Sequence, residues 1–303
     1  MHVATEGPLG SSAISAAKAL GIPVTSSFHT HFDQYTRDYR LGWLRPMVAG
    51  WLRRFHNRTL RTFVPTRALS DRLAFEGYLN LRILSRGVDT GLFTPERRDA
   101  GLRASWGAGP DDVVVVHVGR IAAEKNYPLL FRAFAAIKAV EPRARLVLVG
   151  DGPLLAMYQR QHPDAIFTGF YTGINLARHY ASGDLYLHPS YTETFGNVVT
   201  EALASGLGVG AFDYAAAREF IRDGENGLVC APADEAAFIA NAVRLARDPE
   251  LRGRCARAGR ATTQMLSWDA VIDGFERDLL QARDESGPTS VAGLPVSVPS
   301  FSP

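Results

Sequence analysis

A chain of 303 residues is long enough for two domains, each with its own core. Its 46% apolar and 21% charged residues are those of a folded globular protein, which excludes a disordered or membrane-spanning chain, and a formal charge of +2 gives no case for a nucleic-acid partner. Cys230 and Cys255 fit no metal spacing, and with no apolar run of ~20 residues and no secretory pattern at the start, the expected location is cytoplasmic.

Met1 to Thr5 reads as a strand that has lost its beginning. Glu6 to Gly10 follows, then an alanine-rich helix from Ser11 to Leu20, closed by Gly21. Pro23 to Phe28 is the next strand and leads into His29-Thr30-His31-Phe32-Asp33. Strand, helix, strand implies a parallel pair with a right-handed crossover. Ligands of such sheets sit beyond the carboxyl ends of the strands, where His29 and His31 fall. With no third ligand nearby, a satisfied or substrate-contacting pair is a better reading than a metal site.

From Tyr39 to Ser70 there is no acid, while Arg40, Arg45, Arg53, Arg54, Arg58, Arg61 and Arg67 are present. Between them Trp43, Leu44, Met47, Val48, Trp51, Leu52 and Phe55 recur at helical spacing. Two readings of residues 40–63 stand side by side. A basic helix with tryptophan and leucine on one side suits an anionic membrane interface. The other reading packs its apolar side on the sheet, with arginines solvated or on a ligand's phosphates. Phe63 to Thr66 is a short strand, Arg67 to Gly77 a helix and Leu81 to Leu84 a strand, followed by Ser85-Arg86-Gly87-Val88-Asp89-Thr90-Gly91-Leu92-Phe93. Gly87 and Gly91 are expected to supply the backbone angles of a hinge, and residues 94–111 a surface connection.

Val113 to Val118 is a continuous β-branched run broken only by His117, as in a strand covered on both faces. It ends in Gly119-Arg120-Ile121-Ala122-Ala123-Glu124-Lys125-Asn126, and Pro128 opens a helix to Val140. A glycine at a strand end, two cations and a helix N-terminus make a diphosphate site. Leu146 to Val149 repeats the pattern into Gly150-Asp151-Gly152-Pro153, whose glycines read as structural. Ala165 to Phe170 is a strand, Leu176 to Ser182 a short helix and Asp184 to Leu187 a strand.

That strand opens the stretch around which the chain is organised, His188 to Ser205. A polar loop leads into a helix from Val198 to Ser205. Gly196 allows close backbone approach, and the N–H groups of Phe195, Gly196 and Asn197 lie at a helix N-terminus. Glu193 and Glu201 bracket this turn with seven residues between them. Carboxylates with two acceptor oxygens suit neighbouring hydroxyls, as on a sugar. Further on, Gly208 to Phe212 is a strand loosened by its glycines, and Asp223 to Gly227 a turn using left-handed glycines. Asp234 caps a helix to Arg247; Leu251 to Met265 is another helix, and Ser267 caps a third, Val271 to Ala282.

Taken together, Ser27-Phe28-His29-Thr30, Arg86-Gly87-Val88-Asp89 with Phe93, Gly119-Arg120 with Glu124-Lys125-Asn126, Gly150-Asp151-Gly152-Pro153 and the Glu193…Glu201 pair resemble the retaining, nucleotide-sugar-dependent glycosyltransferases of family 4. The resemblance covers roughly residues 1–282. It implies an α/β GT-B fold, two Rossmann-like domains with parallel sheets facing a cleft. The expected division is an incomplete acceptor-side domain at 1–93, a linker at 94–111, a nucleotide-sugar domain at 112–283 and a disordered tail at 284–303. Implied catalytic residues are His29, Glu193, Arg120 and Lys125. Implied donor-binding residues are Gly119, Arg120, Lys125, Phe170, Glu193, Thr194, Phe195, Gly196, Asn197, Val198 and Glu201. Arg120 and Lys125 would hold the diphosphate, Glu193 the sugar and Glu201 the ribose, with no metal or other cofactor. The implied activity is hexosyl transfer to a glycolipid or glycan hydroxyl at the inner face of the cell membrane, with GDP-mannose the closest donor match. A UDP-sugar-dependent glycolipid enzyme and an inactive nucleotide-sugar-binding remnant are the alternatives.

Overall fold

The computed structural model describes residues 1–28, 45–190, 192–193 and 195–286. The chain divides into two compact units. The first consists of Met1–Pro65, Leu69–Leu84 and the chain from Asp273 on; the second of Thr66–Ala68 and Ser85–Ile272.

The first unit holds a parallel sheet in the order β1 (His2–Val3), β2 (Thr25–Ser27), β3 (Arg61–Val64), β4 (Leu81–Ile83). Helix α1 (Pro8–Ala19) buries Ile14 and Ala17 against Val3 and Val24, and α2 (Arg45–His56) adds Phe55 to the same cluster. Leu52 of α2 packs instead with Phe28, Val64 and two leucines of α3 (Arg67–Phe75). The sheet interior is partly polar: Ser26 Oγ lies 3.0 Å from His56 Nδ1 and from Thr59 Oγ1, and 3.2 Å from Thr62 Oγ1. Glu6 stands 3.5 Å from the far ring nitrogen of His56. Serine, histidine and glutamate in succession outline a nucleophilic triad, but Ser26 and His56 are both 0% exposed, so no substrate reaches them. Ser26 Oγ, His56 Nδ1 and the threonine hydroxyls satisfy one another inside the sheet.

The second unit is a six-stranded parallel sheet with β5 (Val114–Val118), β6 (Arg145–Val149), β7 (Ile166–Gly169), β8 (Leu185–His188), β9 (Gly208–Phe212) and β10 (Leu228–Cys230), ordered β10-β9-β8-β5-β6-β7. Alternate residues serve opposite faces. Val115, Leu146, Leu148, Leu185 and Leu187 join one core cluster, while Val114, Val116, Val147, Val149 and Tyr186 join the other. Both faces are therefore dry, which is why the valine run shows no alternation.

Several expectations need correcting. Residues 94–111 are not merely a surface connection: helix α4 (Ala100–Ser105), capped by Asp99, buries Arg103, and Trp106 enters the core. Arg103 donates to the carbonyls of Ser182, Gly109 and Asp112 and to Asp184. Gly87 and Gly91 do not occupy left-handed backbone; a Cβ on Gly87 would stand 2.8 Å from Trp268, so contact explains that glycine. Gly208 and Gly210 do not loosen β9, because Cβ atoms there would meet Arg252 at 2.9 Å and Leu187 at 3.0 Å. Of the glycines in the 223–227 turn only Gly224 is left-handed, at φ 77°; Gly227 makes room for Ile221. Asp284 and Glu285, assigned to the tail, close a helix that starts at Trp268, and residues 287–303 lie outside those described.

Candidate functional site

In the six-stranded sheet β5 lies between β6 and β8, so the chain leaves β5 in one direction and returns on its other side. Loops at the carboxyl ends of two such strands diverge and leave a crevice. The loop after β5 runs Gly119 to Asn126, tightening into a 3₁₀ turn at Ala123–Lys125, with Asn126 left-handed at φ 54° before α5 (Tyr127–Val140). Gly150 makes this path possible: a Cβ there would fall 2.0 Å from Gly119 O. Asn126 Nδ2 donates to Pro189 O at 3.3 Å, and the hydroxyls of Ser190 and Thr192 donate to Glu124 O at 3.3 and 3.0 Å. The loops after β5 and β8 are thus tied together.

Across this junction Lys125 Nζ donates to Glu193 Oε1, with the two side chains only 19% and 13% exposed. Burial works to raise the Glu193 pKa; nearby positive charge and hydrogen bonding, chiefly from Lys125, outweigh it and hold the carboxyl below its usual range. His188 Nε2 is 3.6 Å from the same oxygen. Burial pushes His188 down to about 4, so at neutral pH its ring is uncharged and the depression of Glu193 falls to Lys125. Tyr186 and His117 stack beside His188, and burial takes His117 down to about 3. Arg120 is 67% exposed at the loop's edge, 3.7 Å from Glu124.

Helix α6 (Asn197–Ala204) starts from Gly196, left-handed at φ 90°, a conformation an L side chain seldom adopts. Phe195 turns its ring inward against Phe220 and accepts from Ala216 N at 2.7 Å, which anchors the turn. Glu201, one turn into the helix, accepts from Tyr180 Oη at 3.0 Å, and burial raises its pKa despite that bond. Phe170, at the exit of β7, is 73% exposed.

The profile of the glycosyl transferases group 1 matches residues 112–248, and that of Glycosyltransferase Family 4 matches residues 1–92. A GDP-mannose-dependent alpha-mannosyltransferase of Mycobacterium tuberculosis is 35% identical over 274 residues, covering 90% of this chain and 70% of that protein. The chain belongs to glycosyltransferase family 4. A sulfoquinovosyl transferase of Arabidopsis thaliana is 32% identical over 93% of this chain; the chain spans 56% of that relative's length. Among solved structures, sucrose-phosphate synthase from Thermosynechococcus elongatus superposes with a TM-score of 0.74 at 21% identity, covering 93% of this chain and 73% of that one. The Anabaena protein HepE, in complex with UDP, gives 0.77 at 20% identity over 92% and 78%. This family 4 glycosyltransferase therefore has the GT-B fold.

In this glycosyltransferase the second unit alone brings Gly119, Lys125 and Glu193 to one junction, with Gly196 and Glu201 on the adjoining turn and helix. His29 and Thr194 lie outside the described residues. Val198 is part of the helix packing, its carbonyl 3.4 Å from Tyr180 Oη. Sequence reasoning did not single out His188, Tyr186, His117 or Tyr180. Tyr186 and His188 alternate at the end of an apolar strand, a place where polar side chains serve a site more often than a core.

Proposed function

We propose that the protein transfers a hexose, with retention, from a nucleoside diphosphate sugar to a hydroxyl of a glycolipid or glycan acceptor, and that the donor is GDP-mannose. The observation that carries this reading is the meeting of Lys125 with Glu193 at the junction of the β5 and β8 loops. In it Arg120, Lys125 and the helix N-termini offset the diphosphate charge, so the leaving group departs without a metal. Glu193 binds hydroxyls of the sugar, together with the amides of Phe195, Gly196 and Asn197. Glu201 binds the ribose, and Gly119 and Phe170 flank the nucleotide. His29 and Thr194 complete the sugar contacts. The leaving phosphate takes the acceptor proton on the same face. GDP-mannose is supported by the names of relatives from three actinobacteria, 32–35% identical.

A UDP-sugar donor is the second reading. It is kept because other relatives are named for sugars other than mannose, the sulfoquinovosyl transferase and an alpha-monoglucosyldiacylglycerol synthase of Streptococcus pneumoniae, 30% identical over 69% of this chain. Both readings place the enzyme at the cytoplasmic face of a membrane. In support, α2 leaves Met47 66% and Trp51 43% exposed beside its arginines, while Leu52 and Phe55 are buried. Thermal stabilisation and turnover with GDP-mannose, UDP-glucose and UDP-galactose decide the donor. Stabilisation by and turnover of GDP-mannose alone is the expected result; the same response to a UDP-sugar alone would move the assignment, and stabilisation without turnover would leave the binding-remnant alternative.

A further inference from the structure

The Lys125–Glu193 pair poses a problem for the proposed function. If Lys125 goes to the donor's diphosphate, Glu193 loses the ammonium that compensates it. A carboxylate only 13% exposed cannot recover that loss from water. Another donor must stand within reach. His188 Nε2 is 3.6 Å from the oxygen that Lys125 holds, and among the described residues this nitrogen is buried and without a hydrogen-bond partner. The other ring nitrogen, Nδ1, is 3.3 Å from the Tyr186 hydroxyl. A carboxylate on one side favours the tautomer with the proton on Nε2, Nδ1 then accepting from Tyr186. Tyr186 Oη has a single proton and also donates to Val118 O at 3.4 Å, one residue before the phosphate loop; in this tautomer that proton turns to Nδ1 instead. The ring is fixed by stacking on Tyr186, with centroids 6.0 Å apart and an interplanar angle of 18°.

We propose that His188 is a positioning residue that receives Glu193 when Lys125 turns to the donor diphosphate: Oε1 passes from the ammonium to the imidazole N–H, and Oε2 stays free for a sugar hydroxyl. The inference rests on the assignment of Lys125 to the diphosphate. An uncharged imidazole suits the task, because it steadies the carboxylate without holding a cation against Lys125. Closing 3.6 Å to a hydrogen bond of about 2.9 Å needs only a rotamer adjustment of Glu193.

The hand-over makes His188 matter to diphosphate binding only while residue 193 carries charge. Calorimetry with GDP and UDP, each against its nucleoside, tests this in a double-mutant cycle. His188→Phe keeps a stacking ring but no donor, and should weaken diphosphate binding about tenfold, the cost of one such contact. Nucleoside binding should not change. With Glu193→Gln in place the same His188→Phe change should have no effect, since no buried charge is left behind. His188→Gln, whose amide nitrogen can stand where Nε2 stood, should restore affinity, whereas His188→Asn should not. Wild-type affinity in His188→Phe, or an equal loss with and without the Glu193→Gln change, would overturn the hand-over. If Lys125→Ala leaves diphosphate affinity unchanged, the phosphate-loop assignment itself falls, a separate result from the same titrations. Melting curves of the phenylalanine and asparagine variants distinguish lost binding from lost fold.

Discussion

Glu193 and Glu201 are the same side chain held in opposite ways. Glu193 faces an ammonium and stays ionised; Glu201 faces a tyrosine hydroxyl, and burial favours its proton. Replacing each should therefore have different consequences. Glu193→Gln should abolish transfer yet bind free GDP or UDP at least as tightly as the wild type, because it releases Lys125. Glu201→Ala should weaken nucleotide and nucleoside alike, if it holds the ribose. Isothermal titration separates the two, and equal behaviour would refute the division of labour. The buried histidines set the acid response. An unfolded chain protonates His117 and His188 below about 6.5, whereas the folded chain withholds those protons until about 3 and about 4. Their contribution to stability is thus intact above pH 6.5 and declines from there to about 4 for His188 and about 3 for His117. The slope is about 1.4 kcal/mol per pH unit for each histidine. Denaturant melts between pH 6.5 and 5 should therefore show a shallower decline in His117→Gln than in the wild type.

At the scale of elements, the approach of the Gly150 turn to the β5 loop is the tightest requirement in the second unit. Gly150→Ala would press a methyl group against Gly119 O, so a loss of several kcal/mol or failure to fold is expected. Gly224→Ala meets nothing within 4 Å and faces only its left-handed φ, so about 1–2 kcal/mol is expected. Chemical denaturation of both variants checks the contrast. These elements were unevenly legible in the sequence. The valine run of β5, the Gly196 turn and the cap at Asp234 announced themselves, because each needs residue types that little else explains. Asp234 Oδ1 does accept from Ala237 N at 3.0 Å. Strand β10 passed unnoticed, since three residues between a turn and Ala231-Pro232 offer no period to read. Helix α4 was hidden among Gly, Pro and charge, and Arg103 lay in a stretch read only as a surface connection. Its burial depends on carbonyls and on Asp184, which lies 81 residues away in the chain. The glycines of β9 misled for the same reason: their worth lies in Arg252 and Leu187, whose approach local sequence does not reveal. In the site, the paired acids and the basic loop could be read from motif, but not the Lys125–Glu193 contact or the histidine beneath it.

For the molecule as a whole, membrane attachment is open to a direct test. Arg53 donates to Glu76 O and Arg58 to Ser15 Oγ, so both serve the first unit itself. Substitution at Met47, Trp51 and Arg54 is therefore the cleaner probe. Wild type should sediment with anionic vesicles and not with zwitterionic ones, and a Met47→Ser, Trp51→Ser, Arg54→Gln variant should stay in the supernatant at the same melting temperature. Binding by the triple variant would assign the exposed residues of α2 no such role. Integrity of the first unit depends on Arg61, 2% exposed, which donates to Asp278 Oδ1 at 2.6 Å and to Glu285 Oε1 at 2.7 Å, while Phe275 packs edge-on to Phe63. Arg61→Met should cost about 1–2 kcal/mol, chiefly from the lost charge-assisted bonds to Asp278, since Glu285 is exposed enough to be solvated without it. Hydrogen exchange should then quicken in β1 to β4 and not in β5 to β9. The same contacts reverse the order in which the protein is completed. On the ribosome the strands β1 to β4 emerge before the second unit, yet the residues that close over them, Phe275, Asp278 and Glu285, emerge only after the whole second unit has been made. The nascent first unit must wait with Arg61 and Phe63 uncovered while its neighbour folds, and that interval is when a chaperone has most to hold.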